Sequence, residues 1–239
     1  MRCPECAGQR TRVTTGPAAF AGAAAPATFV LIALNVAFFL AEIAGGPGGL
    51  TESSGSIVND LALRGSSIAE GEWYRLVTGG FLHAGFGHIA LNMLALFFLG
   101  RLLEPSIGTL RFVALYAASL LAGAFGAVAL TDPGQITVGA SGAIFGIFGA
   151  TFLLAGARGL RDVASQLGFL LLINLAFTLS VPNISVGGHL GGLAAGLICG
   201  LVIVAGERGM LGPRRLAVEL IAMGVVAALS VVGAVAVAG

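Results

Sequence analysis

The apolar positions of this chain fall into seven long runs that are separated by short polar segments. At 1.5 Å per residue, each run is about long enough to cross roughly 30 Å of hydrocarbon. The first run is longer than the apolar region of a typical signal peptide, so we expect it to remain as the first span. The predicted spans lie near residues 27–44, 86–103, 110–130, 138–156, 163–181, 187–205 and 215–238.

Composition agrees with this pattern. Hydrophobic residues make up 57% of the 239 residues and charged residues only 10%, with a mean hydropathy of +0.99. A soluble domain carries roughly 25% charged residues. Much of the surface must therefore be apolar, and the lipid bilayer is the expected partner. The net charge of +1 argues against a nucleic-acid partner. We predict an all-α polytopic membrane protein.

The basic residues, all of which are Arg, predict an orientation. If the N-terminus is cytoplasmic, ten of the 12 Arg residues lie in inside segments, and only Arg64 and Arg75 lie outside. Cytoplasmic loops of membrane proteins are enriched in basic residues. We therefore expect a cytoplasmic N-terminus and an external C-terminus.

Five polar residues fall near one depth of the predicted bundle. His83, His88 and Asn92 lie at the start of span two, Ser141 near the start of span four, and His189 near the start of span six. These three spans all run from outside to inside. Ionisable groups within a membrane are costly and mark functional sites by default. The shared depth therefore indicates one site below the outer surface.

Small residues provide a way to bring Ser141 and His189 together. Faces with a small residue every fourth position let two helices approach closely. A nearby His is what an inert Ser hydroxyl needs to become a nucleophile. Taken alone, Ser141 is also compatible with a packing role, and His189 with a structural bond to a carbonyl. The small residues concerned are Gly142, Gly146 and Ala150 on span four, and Gly188, Gly192, Gly196 and Gly200 on span six.

His88 and Asn92 are four residues apart and share a helix face. Both side chains can donate hydrogen bonds to an oxyanion; the alternative is an interhelical bond that fixes span two. Gly139 and Gly142 flank Ser141 and open the backbone, so that N–H groups near the helix start can face the same charge. His83 lies at the water boundary, where we expect a loop or rim residue.

Neither a metal nor a cofactor is expected. Three His at one depth permit a metal, but no His-Glu-x-x-His pattern exists, and no Asp or Glu lies at the outer ends of spans two, four or six. Cys3 and Cys6 have the spacing of half a zinc ribbon without a second pair. We read them as a remnant, with metal shared between chains or redox chemistry as alternatives. Cys199 is expected in the core.

Three motifs of the chain, taken together, resemble the signatures of the rhomboid family of intramembrane serine proteases. The resemblance covers about residues 27–206. Phe81-Leu82-His83-Ala84-Gly85 is also similar to the family's run before span two. The three motifs are His83-x-x-x-x-His88-x-x-x-Asn92, Gly139-x-Ser141-Gly142 and His189-x-x-Gly192-x-x-x-Gly196.

The resemblance implies a Ser–His dyad without an Asp. Ser141 would attack the scissile carbonyl, and His189 would act as base and then as acid. His88, Asn92 and the Ser141 backbone N–H would hold the oxyanion. The implied substrates are single-span transmembrane proteins, cut near the outer leaflet of the inner (plasma) membrane. The alternatives are a catalytically inactive rhomboid-like protein that binds transmembrane segments, and a channel or transporter, whose midplane charges are absent from the sequence.

The resemblance extends to further positions. Arg75 matches the Arg of the family's Trp-Arg loop signature. Gly100 and Glu104 match a Gly-x-x-x-Glu in which the Glu often braces cytoplasmic loops. Phe145 stands where several members carry a Tyr that stacks on the catalytic His; it can stack but cannot donate a hydroxyl.

The seven spans suggest three parts, in the six-plus-one arrangement that the family also uses. We expect a cytoplasmic tail over residues 1–26, a rhomboid-like six-helix core over residues 27–206, and a linker with a seventh transmembrane helix over residues 207–239.

Overall fold

The computed structural model describes residues 24–46, 55–182 and 184–239. Cys3 and Cys6, with nearly all of the predicted tail, lie outside the described residues. Two 3₁₀ turns, Gly79–Phe81 and Gly212–Arg214, accompany the helices of this part. The α-helices are α1 (Pro26–Gly45), α2 (Ser56–Leu61), α3 (Gly65–Ala69), α4 (Arg75–Thr78), α5 (Phe86–Ile107), α6 (Thr109–Leu130), α7 (Ser141–Ala157), α8 (Arg161–Ser180), α9 (Val186–Glu207) and α10 (Arg215–Ala238).

The prediction of an all-helical fold with seven long apolar segments is confirmed. Among the described residues, six helices are long and apolar enough to cross a membrane, and α7 is a shorter apolar helix of 17 residues. The sequence placed the start of this span at residue 138, which is three residues too early. Gly139 has a φ of 125°, a conformation outside the α-helical region, and the helix therefore begins only at Ser141.

Helix α9 packs on α7 through glycine faces, as their spacing predicts. A methyl group placed on Gly192 would overlap the carbonyl oxygen of Gly142, and one on Gly196 would overlap that of Gly146. The two backbones are thus in direct contact, which a Cβ atom at either glycine would prevent.

A second glycine contact joins α9 to α6 and was not predicted. A methyl group on Gly187 would overlap the carbonyl oxygen of Gly126, and one on Gly191 would overlap that of Ala122. Helix α9 is therefore enclosed by two neighbours at backbone distance. Cys199 lies buried in this core, as expected.

Helix α8 occupies a very different position. Leu167 and Thr178 are its only buried residues, and large apolar side chains such as Phe169 and Leu172 are exposed along its length. These exposed side chains suit a helix that faces lipid.

The far end of the bundle, opposite the starts of α5, α7 and α9, is held by ion pairs. Glu219 of α10 is fully buried and accepts hydrogen bonds from Arg111 of α6 and, at 2.7 Å, from Arg215. Arg158, just after α7, donates to Glu207 of α9 at 2.6 Å. The first of these contacts ties α10 to α6, and the second ties the end of α7 to α9.

Glu104 has partners that the sequence did not indicate. Its carboxylate accepts hydrogen bonds from the backbone N–H groups of Ala27 at 3.0 Å and Thr28 at 2.8 Å. It also accepts from the hydroxyls of Thr28 and Thr109, at 2.7 and 2.8 Å. Glu104 therefore caps the N-terminus of α1, and its contact with Thr109 spans the short connection between α5 and α6.

Candidate active site

Ser141 and His189 are brought together by the contact between α7 and α9. Ser141 is the first residue of α7, and His189 lies in the first turn of α9. The Ser141 Oγ and His189 Nε2 atoms are 2.8 Å apart, which is a hydrogen-bond distance. The Ser185 hydroxyl caps α9 by accepting from the N–H of Gly188 at 3.1 Å. Ser141 and His189 thus lie at the starts of two helices whose close packing holds both residues in place.

Phe145 fixes one face of the imidazole. It lies one helical turn after Ser141, and its ring is stacked on that of His189 with centroids 4.2 Å apart and planes inclined by 19°. Phe145 is itself buried. Ring stacking therefore limits rotation of the imidazole without a hydroxyl at this position.

Thr178 contacts the other imidazole nitrogen. Its Oγ1 atom is 2.7 Å from His189 Nδ1, and the residue is 2% exposed. Sequence reasoning missed this residue. The available signal was topological, because span five runs opposite to spans four and six and its last turn returns to the end of the bundle that holds Ser141 and His189.

The His88 ring lies against the residue that precedes the first turn of α7. A methyl group on Gly139 would lie 2.9 Å from His88 Nε2, so only glycine fits beside this ring. His88 Nδ1 accepts a hydrogen bond from the backbone N–H of Ala84 at 3.3 Å. In the neutral ring, the proton therefore resides on Nε2, which faces the Ser141 side of the site.

Asn92 lies next to His88 on the same face of α5. Its Nδ2 atom donates one hydrogen bond to the carbonyl oxygen of His88 at 2.9 Å, and the side chain is buried. The second amide hydrogen remains available. The Ser141 N–H is among the first N–H groups of α7, which have no partner within the helix. His88, Asn92 and Ser141 all line one cavity.

A cavity of about 570 Å³ opens beside these groups. Apolar side chains make up much of its wall, and polar groups converge at one side. Such a cavity is large enough for an extended piece of polypeptide rather than a single water molecule. Its polar lining includes Ser141, His189, His88, Asn92 and Thr178.

His83 lies in the predicted connection before α5, but it is fully buried instead of forming the rim that we expected. Its backbone N–H donates to the Glu42 carboxylate at 3.2 Å. Its ring is 5.1 Å from that of His88, and neither of its ring nitrogens has a hydrogen-bond partner within the described residues. His83 therefore supports the position of His88 by packing.

Arg75 is the first residue of α4 and contacts the backbone of the segment that follows α2. Its Nη1 atom donates to the carbonyl oxygens of Asn59 at 2.8 Å and Ala62 at 3.0 Å. Its Nε atom donates to Glu72 at 2.6 Å, and this hydrogen bond lowers the pKa of the Glu72 carboxyl. Arg75 therefore orders the backbone over residues 59–62.

Backbone hydrogen bonds connect this ordered segment and its neighbour to the loop before α7. Leu63 and Thr137 exchange backbone hydrogen bonds of 3.2 and 2.9 Å. The N–H of Gly139 donates to the carbonyl oxygen of Gly79 at 3.0 Å. The residues just before Ser141 are thus held by two segments that precede α5.

A model of the rhomboid domain matches residues 70–206. The chain belongs to the rhomboid family. The matched range begins shortly before Arg75 and ends within α9, so it includes Ser141 and His189, and α1 and α10 lie outside it.

Several rhomboid-family relatives are similar to the chain over much of its length. Rhomboid protease GluP of Bacillus subtilis is 37% identical over 203 residues, which are 83% of this chain and 39% of that protein. YdcA of the same bacterium is 34% identical over 57% of this chain and 70% of the relative. RHOMBOID-like protein 5 of Arabidopsis thaliana is 36% identical over 60% of this chain and 48% of the relative. The chain thus spans less than half the length of two of these relatives.

Proposed function

We propose that this rhomboid-family protein is an intramembrane serine endopeptidase that acts through Ser141 and His189. The observation that carries the proposal is the 2.8 Å contact between Ser141 Oγ and His189 Nε2 at the edge of a cavity. A hydroxyl next to an imidazole acceptor is the arrangement of an activated nucleophile. The name of the GluP relative supports the same class.

In the first half of the reaction, Ser141 Oγ attacks the scissile carbonyl carbon while its proton passes to His189 Nε2. The carbonyl oxygen becomes an oxyanion, which the Nε2–H of His88, the free Nδ2–H of Asn92 and the N–H of Ser141 stabilise. His189 then returns the proton to the leaving amine, the C–N bond breaks, and an acyl-enzyme remains.

In the second half, water attacks the acyl carbon and gives its proton to His189 Nε2. The tetrahedral intermediate collapses, the proton returns to Ser141 Oγ, and the new carboxylic acid is released. Water and peptide are the only reactants that this cycle consumes. We therefore propose no metal or cofactor for it.

The depth of the site points to membrane-embedded substrates. Ser141 is the first residue of α7 and His189 lies in the first turn of α9, so both lie within roughly 5 Å of the starts of their helices by helix rise. Transmembrane helices hide their carbonyl groups in internal hydrogen bonds. We propose single-span substrates that unwind near the outer end of the span, with Gly, Ala, Ser or Pro there and a small residue before the cut.

We propose a plasma-membrane location with a cytoplasmic N-terminus and an external C-terminus, which the distribution of Arg supports. We assign the reaction to residues 27–206. Residues 207–239 would support this part through the contacts of Glu219 with Arg111.

Labelling with a fluorophosphonate probe tests the nucleophile. We expect the purified protein to be labelled at Ser141, as located by mass spectrometry, and the Ser141→Ala variant to remain unlabelled. Ser230→Ala is the matched control, since Ser230 is a buried serine of α10 that donates to the carbonyl of Val226. Labelling that persists in Ser141→Ala would contradict the proposal, as would an unlabelled folded protein, which would favour an inactive binding protein.

A model single-span substrate tests the site of cutting. We expect products that end near the outer end of the span, with a small residue before the cut, when the fragments are mapped by mass spectrometry. Cuts on the cytoplasmic side, or a preference for an uninterrupted Leu helix, would contradict both the orientation and the substrate class.

A further inference from the structure

Thr178 combines two properties that are unusual on its helix. It is a buried polar residue on α8, whose other side chains are almost all accessible. Its hydroxyl also has two partners at once, namely the carbonyl oxygen of Asn174 at 2.8 Å and His189 Nδ1 at 2.7 Å. A threonine needs only the first of these contacts to satisfy its own proton.

The two contacts fix the direction of the hydrogen bonds. A hydroxyl has one proton to donate and can accept through its lone pairs. When the Thr178 proton goes to the Asn174 carbonyl, Thr178 Oγ1 accepts from His189 Nδ1, which must then carry a hydrogen. His189 Nε2 is left without a proton and accepts the proton of Ser141.

We propose that Thr178 is a positioning residue that holds His189 in the tautomer with Nδ1 protonated and Nε2 free to act as a base. This inference rests on the proposed function of Ser141 and His189 and adds a third residue from a third helix. Thr178 acts through His189 and does not touch the substrate.

The opposite tautomer leaves one proton without an acceptor. In that arrangement Thr178 donates to Nδ1, and Nε2–H donates to Ser141 Oγ. The Ser141 proton then needs another acceptor, but His189 is its only hydrogen-bond partner within the described part of the chain. The first arrangement gives each of the three protons an acceptor within the protein and is therefore the favoured one.

The same contact assists when His189 gains its second proton. The imidazolium donates from both nitrogens, and a hydrogen bond from a charged donor is stronger than one between neutral groups. Thr178 Oγ1 remains an acceptor throughout the cycle, because its own proton is donated to the carbonyl oxygen of Asn174. A neutral hydroxyl thus orients the histidine from the position that an Asp occupies in a Ser-His-Asp triad.

The tautomer can be measured without any turnover. We would record ¹⁵N-histidine NMR spectra of the full chain in detergent micelles and assign His189 by the signal that is lost in His189→Gln. The wild-type spectrum should show protonated Nδ1 and unprotonated Nε2. Thr178→Val should move His189 toward the other tautomer, whereas Thr178→Ser, which keeps the hydroxyl, should not.

Thr151→Val is the matched control. Thr151 is a buried threonine of α7 that donates to the carbonyl of Ile147, in the same local pattern as Thr178. It has no hydrogen bond to the histidine. This variant should leave the His189 signals unchanged. A wild-type His189 protonated on Nε2, or an unchanged tautomer in Thr178→Val, would overturn the proposal.

Kinetics provide the second readout. Thr178→Val should lower kcat about five-fold with little change in KM, since one neutral hydrogen bond is worth about 1 kcal/mol. The acidic limb of its rate profile should move to lower pH, because the imidazolium loses an acceptor. Thr178→Ser should restore both values.

Each possible result bears on one proposal or the other. A Thr178→Val variant with wild-type rate and wild-type pH profile, or a loss that Thr178→Ser does not restore, would contradict the positioning role. An inactive wild-type protein that still shows the predicted tautomer would refute the proposed function and leave the hydrogen-bond chain intact.

Discussion

Helices α8 and α9 meet at the same imidazole but are held in the protein in opposite ways. Helix α9 supplies His189 and has 11 of its 22 residues buried, against two of 20 for α8, which supplies Thr178. Backbone contact with two neighbours holds α9 in place, whereas α8 presents most of its side chains outward. Packing therefore sets the position of His189, the proposed base. One hydrogen bond from Thr178, on a loosely packed helix, sets which imidazole nitrogen carries the proton.

This contrast predicts that the largest loss comes from α9. His189→Ala removes the proton acceptor of Ser141 and should lower kcat/KM by about 10⁴-fold or more, as for removal of one member of a catalytic unit. The loss should far exceed that for Thr178→Val on α8. A cleavage assay with equal amounts of folded protein measures both. Comparable losses of kcat/KM in His189→Ala and Thr178→Val would contradict the assignment of His189 as base and Thr178 as positioning residue.

Helix α5 offers an intermediate case, because Asn92 would stabilise charge without moving a proton. Asn92→Ala should lower kcat by at most about 10²–10³-fold, which is the typical cost of one oxyanion donor. Asn35→Ala is the matched control, since Asn35 is buried on α1 and donates to the carbonyl of Leu31 in the same way. If both variants lose thermal stability but keep their turnover, Asn92 has a structural role only.

Two Gly→Ala substitutions test the packing difference directly. Gly196→Ala on α9 would force a methyl group into the carbonyl of Gly146, and should reduce the free energy of unfolding by about 1–3 kcal/mol or more. Gly168→Ala on α8 places its methyl group 3.2 Å from the edge of the Phe152 ring, which can turn. Helix propensity then favours alanine by up to about 1 kcal/mol.

Thermal unfolding in detergent should therefore move in opposite directions for these two variants. Activity should follow stability in Gly196→Ala, because His189 lies on the displaced helix. A Gly196→Ala protein as stable as the wild type would show that α9 can move away from α7 to accommodate the methyl group, against our inference from the backbone contacts.

The smallest effect is expected on the outer face of α8. Leu172 is 67% exposed, and Leu172→Ala should change the free energy of unfolding by less than about 0.5 kcal/mol, as is usual for surface positions. Activity in lipid vesicles should also remain near that of the wild type. A large loss in this assay would mean that α8 is packed against something that the isolated chain does not contain.

The sequence predicted the helices and the α7–α9 contact because both depend on local patterns. Long apolar runs define the spans, and a glycine at every fourth position stands out on span six. The contact of Gly126 with α9 was missed because small residues are common throughout span three, so the four-residue spacing of Ala118, Ala122 and Gly126 does not stand out. The burial of His83 was missed since a loop beside a helix start carries no periodicity.

The partners of Thr178 and Glu104 were beyond sequence reasoning for a different reason. Thr178 acts on an imidazole 11 residues away, but only after α8 has turned back toward the site. Glu104 binds backbone N–H groups of Ala27 and Thr28, which every non-proline residue possesses. A pattern of residue types cannot identify such donors and acceptors, because their partners are determined only by the folded arrangement of the helices.

The cap on α1 has a consequence for biosynthesis. Helix α1 has no side-chain cap from its own first residues, and the carboxylate that satisfies its N–H groups is encoded 77 and 76 residues later. When the ribosome has delivered only the first span, those N–H groups must still be solvated by water or headgroups. The first helix is therefore completed only when the end of α5 has been translated, and α1 and α5 should mature in the membrane as a pair.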